Sequence, residues 1–277
     1  MPKNDPSPSE AFTGFSNEDL GFLTGLAANN DKAWFTEHRA AYDEGLKPAM
    51  GGLIAALNTE FAARGLPFVG DSKKSIFRLH RDVRFSKDKR PYKTHVAASL
   101  TREGGKMAPG AVYVHIEPEG GPARAFDPRT IDPLDPSTLP SAKIAYDEHA
   151  GEGPFLTAGF YLWDQRPLID AFRKQIVADP EAWLAVEKAL DDNGLELEDG
   201  APVKRTPKGF EEQAGGPLDA TLKKTQWLVG RRLTGAELAD PNLPSLIADF
   251  AAQVRPLFAF GWRALDGVRI DPKAGRR

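Results

Sequence analysis

Residues 71–95 read DSKKSIFRLHRDVRFSKDKRPYKTH. Nine of the chain's 36 Lys and Arg residues lie here against three acids, so the segment nets +6 in a protein whose formal charge is −3. The other 252 residues therefore carry −9. Charge concentrated on one segment marks where an anion or a carboxylate partner meets the fold. The pattern also changes here. Upstream, apolar residues recur at helical spacing, whereas Ile76 to Phe85 carries β-branched and aromatic residues between turn signals and predicts a strand.

Alternate residues of a strand face opposite sides. Over 76–86 that puts Phe77, Leu79, Val83 and Phe85 on a core face and Arg78, His80, Asp82 and Arg84 on the other. Arg81 falls on the apolar side, which is anomalous. Three explanations stand: a bulge shifts the register, Arg81 is buried against a carboxylate, or the strand ends there and the charges are solvated. Residues 86–91, SKDKRP, then read as a turn leading to Tyr92, Lys93 and the next strand.

Working upstream, Ser16 is the expected N-cap of a first helix, with Asp19 standing in for the Glu of a capping box. Asn29-Asn30-Asp31 ends that helix and caps a second carrying Trp34, Phe35, His38 and Tyr42. Pro48 opens a third, ending near Gly65. Downstream, strands are predicted over 94–101, 111–117 and 155–163, with turns at Gly104-Gly105 and Pro109-Gly110. Residues 118–154 hold seven prolines and no periodicity and read as an irregular insertion. Pro167 and Asp179-Pro180 open a helical pair, 225–233 is a late strand, and Thr234 with Glu237 forms a capping box. A C-terminal helix over 244–265 is interrupted at Pro256. Helices, then strands, then helices predict an α+β fold: a mainly antiparallel sheet with an N-terminal helical layer and C-terminal helices packed on it. The expected organisation is one domain over 15–266 between a disordered tail (1–14) and a C-terminal tail (267–277).

Hydrophobic residues make up 41% and charged residues 27%, as in an ordinary globular protein. No run of 18 apolar residues suggests a membrane span, and the N-terminus lacks the apolar core of a secretion signal. Zero cysteines exclude disulfides, thiolate metal sites and a Cys nucleophile, so the expected location is cytoplasmic. No nucleophile-elbow, zinc-protease, P-loop or dinucleotide signature is present, and nothing names a cofactor.

RDVRFSKDKRPYKTH, residues 81–95, resembles the signature of the uncharacterised family called domain of unknown function 2461, Arg-Asp-x-Arg-Phe-Ser-x-Asp-Lys-x-Pro-Tyr-Lys-Thr. FLTGLAANNDKAWFTEHRAAY near the N-terminus is similar to its opening helices. VYVHIEPEG and FLTAGFYLWD resemble its central strands, and VKRTPKGF with LKKTQWLVGRRL its C-terminal ones. Arg81, Asp82, Arg84, Phe85, Ser86, Asp88, Lys89, Pro91, Tyr92 and Lys93 fall on motif positions. The resemblance covers roughly residues 12–235 and departs from the family over 119–153. It implies a fold and a site but no reaction.

The candidate ligand-binding residues are Arg78, Arg81, Arg84, Ser86, Lys87, Lys89, Tyr92 and Lys93, groups suited to phosphate or carboxylate. Asp82, as a base or an orienter of arginine, and Tyr92, as a hydrogen-bond donor, are the catalytic candidates. His80-x-Asp82 and His115-x-Glu117 each place a His and a carboxylate on one strand face, and neighbouring strands would bring the four to a divalent metal; because such pairs recur by chance, the expectation is no metal. Tyr113, Tyr161, Trp163 and Trp227 read as core, and Gly159 as a bulge or close approach. Lys204, Arg205, Lys208, Lys223, Lys224, Arg231 and Arg232 read as solvated. The leading expectation is a cleft for a small anionic ligand. The alternatives are a structural network in which Arg81 and Arg84 pair with Asp82 and Asp88, and a nucleic-acid-binding module with steep salt dependence.

Overall fold

The computed structural model describes residues 12–84, 88–106, 108–118, 153–162, 165–200 and 202–268. Residues 119–152 of the insertion expected over 118–154, residues 1–11 and 269–277 of the tails expected over 1–14 and 267–277, and Phe85, Ser86, Lys87 and Trp163 lie outside them. The fold is α+β, with a four-stranded antiparallel sheet. Among the described residues, no helix is long and apolar enough to cross a membrane.

The N-terminal helices are α1 (Asn17–Ala28), α2 (Lys32–Glu37) and α3 (Lys47–Ala63). The Ser16 hydroxyl accepts from the Asp19 amide while Asp19 reaches back to the Ser16 amide, and Asp31 caps α2. Ala41–Leu46 is a π-helical stretch leading directly into α3, a feature with no signature in the sequence. The strands are β1 (Val96–Thr101), β2 (Ala111–Ile116), β3 (Phe155–Phe160) and β4 (Trp227–Arg232), paired in that order. The later helices are α4 (Arg166–Ala178), α5 (Pro180–Asp191), α6 (Asp219–Lys223), α7 (Gly235–Ala239), α8 (Leu243–Gln253) and α9 (Arg255–Leu265). The capping box of Thr234 and Glu237 opens α7. Pro256 is tolerated because it falls in the first turn of α9, where its missing N–H has no intrahelical partner.

The chain divides into two compact units. One comprises Met1–Lys106, Tyr113–Leu156 and Arg232–Asp249. In it Phe22 packs on Trp34, Phe35 and Tyr42, with ring centroids 5.7–6.2 Å apart. At Gly70 an added Cβ would meet Ile54 at 2.8 Å and Leu100 at 2.9 Å, so only glycine lets α3 and β1 approach so closely there. Arg64 joins Asp249 at 3.0 Å and the Ser245 hydroxyl at 2.8 Å, and also pairs with Glu60.

The other unit comprises Met107–Val112, Thr157–Arg231 and Phe250–Arg277. Its core is aromatic: Phe172 stacks on Trp227 at 4.0 Å and Trp183 meets Phe260 at 5.1 Å. Trp227 is core, as expected. Gly159, at φ 133°, brings β3 so close to β4 that a Cβ would sit 2.2 Å from the Trp227 carbonyl oxygen. Lys224, expected to be solvated, is buried, and its ammonium donates to the Glu198 carbonyl at 2.9 Å.

In a strand pair, alternate residues share a face. Val114 and Ile116 of β2 lie on one face, while Tyr113 and His115 of β2, Ala97 of β1 and Phe155 of β3 share the other. All of these residues are buried.

Candidate functional site

The segment expected as a strand over 76–85 is a looser arm. It meets the chain isolated at two bridges, Ile76 with Ala98 and His80 with Tyr92. Phe77 N donates to Ala97 O at 2.9 Å, Lys93 N to Leu79 O at 2.8 Å and Arg81 N to Pro91 O at 2.8 Å. The register shifts between the bridges, four residues from Ile76 to His80 against six from Tyr92 to Ala98, and beyond His80 the ladder stops for a local reason. Pro91 has no N–H to give, and Asp82 and Asp88 accept from the amides of Arg84 and Arg90, competing with a ladder. The arm is held instead by Asn30, whose amide bonds both the N–H and the C=O of Tyr92 at 3.0 Å. Asn58 treats Gly70 the same way, at 2.8 Å for each bond.

The charges on this arm are largely paired. Arg81, whose side chain is 9% exposed, donates to Asp88 at 2.7 Å and to the Arg90 carbonyl at 3.0 Å. Of the three sequence explanations for Arg81, the geometry is that of burial against a carboxylate. Arg90 also holds Asp88, at 2.9 Å. Burial alone would raise the Asp88 carboxyl, but hydrogen bonds from Arg90 and Arg81 outweigh it and hold the group well below the usual carboxylate range. Arg84 grips Asp82 with both fork arms, at 2.9 and 2.8 Å, which occupies the catalytic candidate Asp82 as a salt-bridge partner. Lys89 donates to the Val83 carbonyl at 3.1 Å. Tyr92 is buried, its ring stacked on Phe35 at 4.4 Å, which makes it part of the core.

Two lysines meet the ring of Phe77. The Lys93 ammonium lies 5.5 Å and the Lys106 ammonium 5.3 Å from the centroid of the Phe77 ring. Lys106, absent from the sequence candidates, is held by the Ile76 carbonyl at 2.7 Å. Burial, with the charge of Arg78, lowers its pKa. Arg78 itself is exposed.

The metal candidates separate. His80 is exposed, edge-on to Phe35 and Tyr92, and it and Asp82 lie apart from His115 and Glu117. The residue that does join His115 and Glu117 is His95, which the sequence reading passed over: the ligand atoms of the three lie within 4.8 Å of one another. Its signal was its place at the end of the motif, one residue before β1, in register with Ala97. His115 is sandwiched between His95, at 4.1 Å, and Phe155, at 4.4 Å, and Arg232 stands 5.7 Å beyond over Phe155. The Tyr113 hydroxyl lies 3.2 Å from His115 Nδ1, and His115 Nε2 lies 3.6 Å from Glu117 Oε2. Thr94 donates to Glu117 Oε1 at 2.8 Å. Burial, reinforced by the charges of His115, Lys93 and Arg81, keeps the His95 imidazole neutral, well below its ordinary pKa.

The family model described as "Conserved hypothetical protein (DUF2461)" matches residues 18–125 and 140–260, with the break falling inside the expected insertion. No curated protein and no solved structure matches. The match spans both the basic arm and the buried His–Glu group, and the chain belongs to the DUF2461 family.

Proposed function

We propose that the protein binds a small anion, a phosphorylated or carboxylated molecule, over the ring of Phe77. The observation that carries this reading is that two ammonium groups, Lys93 at 5.5 Å and Lys106 at 5.3 Å, flank the half-buried Phe77 ring, with the charge of Arg78 acting on Lys106. Arg78 and Lys106 repel one another in a partly dry site, and an anion bound beside them would relieve the repulsion. Arg81, Arg84 and Arg90 take a second role, suggested by their ion pairs with Asp82 and Asp88: they fix the arm that carries Arg78 and Lys93. The cytoplasmic location belongs to the same proposal and rests on the lack of cysteine.

The test is calorimetric titration of the full chain with phosphate, pyrophosphate and citrate at low ionic strength. Binding of at least one of them, weakened tenfold or more by Lys106→Ala and by Lys93→Ala, is the expected result. Unchanged affinity in both variants, or no binding of any of the three, defeats the reading. Tight binding of mixed oligonucleotides that collapses with added salt would move the function to nucleic acid.

A further inference from the structure

We propose that His95, His115 and Glu117 form a binding site for one divalent transition-metal ion of the zinc class. The three come from the head of β1 and the end of β2, and are 2%, 0% and 1% exposed. Both ring nitrogens of His95 lack a hydrogen-bond partner among the described residues. A neutral imidazole has one donor and one acceptor, and each left unmade in the interior costs about 1–3 kcal/mol. Native interiors rarely tolerate two such orphans on one ring, and here the ring is aimed at a second histidine and a carboxylate.

The donor set and its spacing suit the ion. Two imidazoles and one carboxylate are a recurring three-protein-ligand set for zinc, and imidazole selects against magnesium and calcium. Ligand atoms about 2.0–2.1 Å from a tetrahedral ion lie roughly 3.3 Å apart. His115 Nε2 and Glu117 Oε2 are already at 3.6 Å, and no pair in the set exceeds 4.8 Å, so small side-chain rotations close the site.

The groups behind the ligands are those that metal sites use. Tyr113 engages His115 Nδ1, which leaves Nε2 to the ion, and Thr94 holds Glu117 Oε1, which presents Oε2. The charges of Arg81 and Lys93 reach His95 and oppose a bare dication, so the Glu117 carboxylate and an anionic or water ligand on the ion supply the balance. The inference stands apart from the anion reading, whose cations are not ligands.

The test uses the full chain, freed of metal by chelator and titrated with Zn²⁺ and with Co²⁺. The expected result is one equivalent bound, a tetrahedral cobalt absorption band, and a rise in melting temperature with Zn²⁺. Glu117→Gln is expected to weaken binding at least a hundredfold and Tyr113→Phe about tenfold. Lys106→Ala is expected to leave metal binding intact while weakening anion binding tenfold or more, which separates a failure here from a failure of the anion reading. A folded wild-type chain that takes up neither ion overturns the proposal. So does a Glu117→Gln chain, folded by circular dichroism, that binds as tightly as the wild type.

Discussion

Removing the carboxylate of Asp88 should release the basic arm. Asp88 accepts from Arg81 at 2.7 Å and from Arg90 at 2.9 Å, and the Arg81 side chain is only 9% exposed. Breaking a fully buried ion pair from one side costs roughly 3–5 kcal/mol. The Asp88 side chain is 26% exposed and that of Arg90 40%, so water recovers part of this, leaving about 2–3 kcal/mol for Asp88→Ala. The right assay is local. The amides of Arg81 and Lys93 bridge the two sides of the arm, to Pro91 O and Leu79 O, and exchange with solvent only when it opens. A loss of 2–3 kcal/mol should speed their exchange by roughly 30- to 150-fold, at tenfold per 1.4 kcal/mol. Acid should do the same. The folded carboxyl sits below its ordinary value of 3.8, so its contribution is complete above that pH and is lost as pH falls toward the folded value. The combined change Arg81→Met with Asp88→Leu should recover part of the protection, because no buried charge is then stranded. Acceleration of less than about fivefold in Asp88→Ala, under 1 kcal/mol, would refute the view that this network holds the arm.

Asn30→Ala removes two bonds to the Tyr92 backbone and should cost about 1–3 kcal/mol, seen as faster exchange at Tyr92; an unchanged rate would show that the stacked ring alone secures the arm. Gly159→Ala puts a Cβ 2.2 Å from the Trp227 carbonyl at a φ that L residues avoid, and should cost more than about 4 kcal/mol by thermal melting, so a variant melting within about two degrees of the parent would contradict the close approach of β3 and β4.

What was legible in the sequence was local. Ser16, Asp31, Asp179 and Thr234 cap the helices they were read to cap, because an N-cap is a bond between neighbours in the chain. The Arg81 anomaly was visible because period two exposes a charge on an apolar face, and Asp88, seven residues on, is the carboxylate it meets. The arm was over-read as a strand because its alternation is genuine while its backbone bonds, to Ala97, Pro91 and Lys93, are too few and too far apart to form a ladder, which alternation alone does not reveal. His95 was missed because its place at the end of the motif does not say what it faces. Only the pairing of β1 with β2 sets it against His115. Lys106 escaped for the same reason, since it reaches Ile76 across 30 residues. The π-helical stretch 41–46 carries no residue pattern that would have separated it from an ordinary helix.

β2 and the residue after it store two programs in one short stretch: Val114 and Ile116 point one way, Tyr113, His115 and Glu117 the other. A slip of one residue against β1 would exchange them, driving two rings and a carboxylate into the aliphatic layer and turning the aliphatic pair toward His95. Such a mispaired sheet would be penalised on both sides at once. The buried polar row thus acts as a proofreader of strand alignment, so replacing it wholesale with valine and leucine would leave the hydrophobic content intact while erasing the information that tells this strand which way to face.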